Sequence, residues 1–254
     1  MSASGSKNRS PLAGNLRGYW RQSRRPLASL AFVLPLLAVY EIGVLALGPS
    51  AVRNGADVWL RQLLDLIGLG SYFLLPVLTL AALLAWHHTT RDRWRLSAGV
   101  LYGMAVESAL LGFVLLGMAH AQGSLLQLSG VTPPSLSIVY RFHVAQFLGT
   151  LVGFFGAGIY EEVMFRLLLV PPVGALIGML GGSPKTRIVG AVVITSLAFS
   201  AAHYVGPYGD TFDAFSFVFR FLAGGFFALL FVYRGFGIAT GAHALYDILV
   251  GMQL

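Results

Sequence analysis

The feature that most constrains this chain is a series of apolar runs as long as a bilayer is thick. The first, Leu27 to Leu47, contains a single charged residue, Glu41. A spanning helix needs about 20 such residues at about 1.5 Å each. No water reaches the hydrocarbon core to satisfy backbone N–H and C=O groups, so a crossing segment closes its hydrogen bonds within itself, as a helix does. Composition agrees. Of 254 residues 56% are hydrophobic and 11% charged, against about 25% charged in soluble domains.

The formal net charge of +7 does not point to nucleic acid, because the basic residues fall in short clusters between apolar runs, the distribution expected of cytoplasmic loops. With no cysteine there is no disulfide framework, thiolate metal site, lipidated thiol or cysteine nucleophile. Residues 1–26 carry Lys7, Arg9, Arg17, Arg21, Arg24 and Arg25 beside Tyr19 and Trp20. They read as a cytoplasmic basic arm with aromatic interface anchors. A signal peptide fits poorly, since the apolar run that follows exceeds the usual h-region of about 7 to 15 residues.

Residues 27–254 then read as one membrane-embedded domain. After the first span, Ala56 to Ile67 mixes Leu60, Leu63 and Leu64 with Asp57, Arg61 and Asp65, as a helix lying in the outer interface would. A second span, Ser71 to Trp86, meets a basic loop whose His87 and His88 read as surface residues. A third, Leu96 to Ala119, holds Glu107 and the close-packing pattern of Gly99 and Gly103. His120 to Ser137, with Pro133 and Pro134, reads as an external loop. A fourth span, Arg141 to Val170, contains Gly149, Gly153, Gly156 and Gly158 and is expected to end at Pro171-Pro172. Val173 to Leu180 is too short to cross, and the basic Gly181 to Arg187 returns to the cytoplasmic side. Ile188 to Val205, Phe215 to Tyr233 and Phe236 onward complete the set, with Gly206 to Asp213 external and Arg234 at an inner turn. The expectation is an all-α, polytopic transmembrane helix bundle of seven spans, or eight if the short element crosses. Its expected location is a bacterial inner (plasma) membrane, multi-pass, with the N-terminus cytoplasmic. No inverted repeat of the transporter kind is visible.

Charges at membrane depth are costly, so those inside apolar runs stand out. In Gly156-Ala-Gly-Ile-Tyr-Glu161-Glu162-Val-Met-Phe-Arg166, the i,i+4 spacing lets Glu162 and Arg166 pair on one helix face. Glu161 points about 100° away and finds no partner in its own segment. The three form either a structural ion-pair cluster or a site. Phe199 and His203 are again four apart, so the ring can brace the imidazole. His243 and Asp247 repeat the spacing, so the carboxylate can orient the ring or simply pack against it. Together these groups offer a general base, a proton shuttle and oxyanion donors, the requirements of water activation.

The ordered set Glu161-Glu162-x-x-x-Arg166, Phe199-x-x-x-His203 and His243-x-x-x-Asp247 resembles the motifs of the CPBP (Abi) family, intramembrane endopeptidases that include the type II CAAX prenyl proteases. The resemblance covers residues from about Tyr140 onward, a catalytic half of about 140–254. It implies an all-helical fold and hydrolysis of a peptide bond near the membrane surface in a membrane-associated protein or peptide. Glu161 would act as base with His203 on a water, His243 would help stabilise the oxyanion, and Glu162 and Arg166 would brace the site. The family's last motif usually ends in asparagine. Asp247 in its place implies a carboxyl held protonated by burial, a carboxylate orienting His243, or a cation site. The primary expectation is a metal-free reaction, there being no His-Glu-x-x-His helix; the alternative is Zn2+ held by Glu161, His203, His243 and Asp247. Two other classes are compatible with buried carboxylates and histidines: a non-catalytic immunity or scaffold protein of the same fold, and a proton-coupled transporter.

Overall fold

The computed structural model describes residues 18–51, 53–128, 144–206 and 209–251, and among these the only regular structure is helix. We number the elements α1 (Pro26–Leu47), α2 (Gly55–Leu66), α3 (Leu74–Thr90), α4 (Ala98–Leu128) and α5 (Val144–Gly156). After two wide-turned stretches, Ala157–Glu161 and Val163–Leu168, come α6 (Val170–Met179), α7 (Pro184–Ala202), α8 (Ala214–Arg234) and α9 (Phe236–Gly251). Local chemistry sets several boundaries. Asn54, Ser183 and Asp213 cap α2, α7 and α8 by accepting the N–H of Ala56, Thr186 and Ser216, satisfying donors that a helix start leaves open. Gly235, at φ 91°, turns α8 back into α9 in a conformation that suits only glycine.

Among the described residues five helices are long and apolar enough to cross a membrane: α1, α4, the continuous Leu148–Met179, α7 and α8. Their outward faces carry exposed Ile42, Leu110, Phe113, Ile194 and Leu222, a belt that would drive association in water and is matched by lipid. The other two expected spans fall on shorter helices, α3 with 17 residues and α9 with 16. From Phe236 to Ala244 every residue of α9 is buried, packed against α1, α4, α5 and α8 and against the Ala157–Glu161 stretch. It is the core helix of the bundle, which is why it can carry His243 and Asp247 away from lipid.

Several expectations need correction. Pro171-Pro172 does not end the fourth helix. The prolines sit in the first turn of α6 after a single turn residue, Leu169, where a missing N–H is tolerated. Val173 to Leu180 therefore lies almost wholly on the end of a long helix rather than forming a separate element. α4 runs on to Leu128, so the first part of the expected external loop is helical. Gly103 packs against the ring of Tyr19 in the helical stretch at residues 18–23, 2.7 Å from where a Cβ would lie, while Gly99 meets only Ser97 Oγ of its own segment. His87 is buried edge-on against Trp94, with ring centroids 4.5 Å apart, rather than on the surface. Residues 1–17 of the arm, Pro133-Pro134 and Arg141 lie outside the described residues.

Charges in the front of the chain find partners across the bundle. Glu107 accepts the Arg234 guanidinium at 2.6 and 2.7 Å and the Tyr19 hydroxyl at 2.5 Å. Arg234 also donates to Ser23 Oγ at 2.9 Å and lies 4.1 Å from the Trp20 ring centroid. The arm's last residues are thus docked onto the turn between α8 and α9. Arg220 pairs with Asp210 at 2.5 Å.

Candidate active site

The site is built on the widest turns of the bundle. Between Ala157 and Leu168 the chain opens into π-helical turns, a geometry that is rare and often marks functional positions because it re-aims side chains. Gly158 lies within this stretch. A Cβ there would stand 2.8 Å from the Ala244 nitrogen and 3.0 Å from its Cα, so only glycine lets α9 press its backbone onto the turn. That contact delivers His243, the residue before Ala244, to the two glutamates.

Glu162 is fully buried and holds two partners. Its Oε2 lies 3.3 Å from Arg166 Nε, and its Oε1 accepts His243 Nδ1–H at 2.8 Å. Arg166, 1% exposed, also donates to the Gly224 carbonyl at 3.2 Å. Its guanidinium lies 4.5 Å from the Phe199 ring centroid and 5.5 Å from that of Phe227. The expected pair is present, and its carboxylate also takes the role that the α9 spacing suggested for Asp247: Glu162 orients the His243 ring. Phe227 stacks on that ring at 4.3 Å with 11° between planes.

With Nδ1–H committed to a carboxylate, Nε2 is the ring atom left to act. It stands 3.7 Å from Glu161 Oε2 and 3.7 Å from Asp247 Oδ2. Both separations are too long for a direct hydrogen bond and suit a bridging water. Glu161 turns its other oxygen away, where Oε1 accepts the Asn54 side-chain amide at 2.8 Å. Among the described residues the buried carboxylates Glu41, Asp57 and Glu162 each touch a guanidinium, whereas Glu161 has an amide and an imidazole for company.

His203 stands apart from this group. Its Nδ1–H donates to the Phe199 carbonyl at 2.8 Å, and its ring lies edge-on to Phe199 at 5.0 Å. Phe199 in turn lies edge-on to His243 at 6.0 Å. The brace expected of Phe199 is there and serves both histidines. His203 makes no hydrogen bond or ion pair with Glu161, Glu162 or Asp247, and its half-buried Nε2 is left available. The alternative zinc set is not assembled. Among the described residues no three or more of His, Asp and Glu are arranged to hold a metal ion, and His203 lies outside the cluster formed by the other three proposed ligands.

A supporting network from the front of the chain was missed by motif reasoning. Arg61 reaches Glu41 at 3.0 Å and Asp57 at 2.6 Å and donates to the Tyr72 carbonyl. Tyr40 donates to Asp57 at 2.7 Å, and Tyr160, next to Glu161, donates to Glu41 at 2.5 Å. Burial works against the charge on Arg61, yet Asp57 and Glu41 more than offset it, so its pKa stands above the ordinary guanidinium value. The signal available in the sequence was Asn54 itself, an N-cap residue directly before an amphipathic run.

The fold and this site define a helical membrane protein with a buried glutamate pair, two histidines and an aspartate drawn from separate helices. Residues 143–249 match the family model Rce1-like, described as type II CAAX prenyl endopeptidase Rce1-like. The segment contains every motif residue, from Glu161 to Asp247, and excludes Asn54, Glu41 and α2. The family implies a protease. No curated protein and no solved structure matches the chain.

Proposed function

We propose that the protein is an intramembrane endopeptidase that hydrolyses a peptide bond near the membrane surface with a water held among Glu161, His243 and Asp247. The observation that carries this reading is the pair of 3.7 Å gaps from His243 Nε2 to the two carboxylates. Three polar atoms from two elements, Glu161 Oε2 on the wide-turned stretch and His243 Nε2 and Asp247 Oδ2 on α9, converge at water-bridging distance, and among the described residues neither carboxylate touches a guanidinium. Glu161 Oε2 takes a proton from the water as its oxygen attacks the scissile carbonyl carbon. Asp247 accepts the water's other hydrogen and holds its orientation. His243, fixed by Glu162 and Phe227, carries a proton on Nε2 toward the developing oxyanion. As the C–N bond breaks, the proton taken up by Glu161 passes by way of His203 Nε2 to the leaving nitrogen, so Glu161 returns to its carboxylate form and the products are a carboxylate and an amine. No step is routed through a metal.

The substrate class we infer is the one the family description names, a prenylated protein or peptide ending in a CAAX sequence. Lipid on the substrate would bring the peptide to a site enclosed by apolar helices. The basic loops His87 to Arg95 and Gly181 to Arg187 are assigned to the cytoplasmic side on their charge, as in a bacterial inner membrane.

The test is single-turnover cleavage of a farnesylated CAAX peptide by the purified protein in lipid nanodiscs, with and without a strong chelator. Glu161→Ala and His203→Ala are each expected to remove most of the rate, and the double variant little more, because the two groups act as a unit on the same proton. His243→Ala is expected to cost about 100- to 1000-fold, as for one oxyanion donor. Full activity of Glu161→Ala would refute the assignment, and loss of wild-type activity in chelator would refute the metal-free mechanism.

A further inference from the structure

Glu161 has two oxygens and only one faces the water position, so something must set which one. On its own helix nothing does. The group that contacts the other oxygen is Asn54, which donates from Nδ2 to Glu161 Oε1 at 2.8 Å across a sequence separation of 107. Asn54 is itself held at its opposite end, where Oδ1 accepts the Ala56 N–H at 2.8 Å as the cap of α2. The amide is therefore gripped on one side by a helix start and applied on the other to a carboxylate.

The placement of α2 is set by several contacts at once. Asp57, one turn on, receives Arg53 at 2.7 Å, Arg61 at 2.6 Å and Tyr40 at 2.7 Å. Arg61 extends to Glu41, and Glu41 accepts Tyr160, whose backbone continues directly into Glu161. The path from Asn54 along α2 to Arg61, Glu41, Tyr160 and Glu161 closes on itself through the 2.8 Å amide bond. A ring of this kind resists rotation of any one member, because turning the Glu161 side chain breaks a bond whose two ends are anchored independently. We infer that Asn54 is a positioning residue for Glu161, fixing Oε1 so that Oε2 faces His243 and the reacting water. This rests on the catalytic reading of Glu161 and extends the working site into a part of the chain that the family match does not cover.

The two functions of the Asn54 side chain can be separated by substitution. Asn54→Ser and Asn54→Asp keep an oxygen to cap α2 and remove the amide donor, the serine being too short to reach Glu161. In purified full-length protein in nanodiscs, both are expected to lower kcat toward the farnesylated peptide by about 10- to 100-fold, the scale of a misplaced reacting group. For Asn54→Ser, KM and melting temperature should stay near wild type; Asn54→Asp sets a second carboxylate beside Glu161 and should melt lower, and Asn54→Ala should lose thermal stability with its cap. Wild-type kcat in both cap-preserving variants would overturn the inference and leave Asn54 a cap alone. A substrate-free measurement accompanies this. The chain has four glutamates, Glu41, Glu107, Glu161 and Glu162, so infrared difference spectra of 13C-glutamate-labelled protein can follow their carboxylate stretches. Asn54→Ser minus wild type is expected to show one shifted band that is missing when both proteins also carry Glu161→Gln. Superimposable spectra would overturn the contact. Glu161→Ala separates the two claims. If it cleaves normally the catalytic reading fails whatever Asn54 does, and if it is inactive while both cap-preserving variants are normal, only the positioning role fails. A wild-type protein that leaves the peptide intact would count against the substrate class, and the infrared spectra would then decide on Asn54.

Discussion

Replacing Arg166 by alanine removes the cation on which the buried part of the site depends. Four contacts go at once: the 3.3 Å approach to Glu162, the 3.2 Å bond to the Gly224 carbonyl, and the faces of Phe199 and Phe227 at 4.5 and 5.5 Å. Breaking one side of a buried ion pair costs about 3 to 5 kcal/mol, mostly because the remaining charge has lost its partner. Glu162 keeps His243 Nδ1–H, which offsets part of that penalty. The cation–aromatic contacts, about 2 kcal/mol when desolvated, push the other way. A working value of about 4 kcal/mol follows, and at about 2 to 4 °C per kcal/mol for a chain of this size the melting temperature should fall by about 8 to 16 °C. The assay is thermal unfolding in nanodiscs. Arg166→Lys, which keeps the charge but not the planar stack, should fall less. Arg166→Met combined with Glu162→Gln should recover most of the loss, since no buried charge is then stranded. Melting of Arg166→Ala within about 1 °C of wild type would refute the reasoning. If that protein were also inactive, Arg166 would be a substrate contact.

Two further outcomes follow from the fold. Gly158→Ala should cost about 1 to 3 kcal/mol from overpacking against the Ala244 backbone and should lower kcat at temperatures well below its melting point, because His243 shifts away from Glu161; wild-type turnover would show that the close approach is dispensable. Single cysteines in the loops His87 to Arg95 and Gly181 to Arg187 should be labelled only from the cytoplasmic side and one beside Pro133 only from outside, and external labelling of the basic loops would overturn the topology.

How much of this was legible in the sequence depends on how far apart the interacting residues lie. The apolar runs marked nearly every helix, because hydropathy is a property of the segment itself. Contacts within one helix were equally readable: Glu162 with Arg166, Phe199 with His203, and the approach of Asp247 to His243 all follow from one-turn spacing. What periodicity leaves open is which faces of different helices meet. It therefore offered Asp247 as the orienting partner of His243, when Glu162, 81 positions away, takes Nδ1. It likewise left Glu41, Glu107 and Arg220 without roles, although Arg61, Arg234 and Asp210 pair with them. The number of spans does not follow from hydropathy alone for a related reason. α9 is apolar because it is central, and burial among protein side chains demands the same composition as contact with lipid.

The adjacency of Glu161 and Glu162 then has a physical logic. Two consecutive carboxylates on one stretch face different surroundings, and here those surroundings differ in charge. Glu162 accepts the His243 N–H on one oxygen and lies 3.3 Å from Arg166 Nε with the other, so its charge is compensated. Glu161 meets a neutral amide on one oxygen and leaves the second toward His243 Nε2 and Asp247. A carboxylate tied to a guanidinium is a poor base because proton uptake would break the pair, whereas one held by an amide keeps its orientation without that cost. Glu41 and Asp57, though buried nearby, are each bound to arginine and so fall on the structural side of this division. The bundle thus sets an arginine against Glu41, Asp57 and Glu162 and none against Glu161 or Asp247, the two carboxylates that flank His243 Nε2, and that selective omission, more than the presence of acidic residues in an apolar helix, is the ground on which Glu161 is proposed as the base.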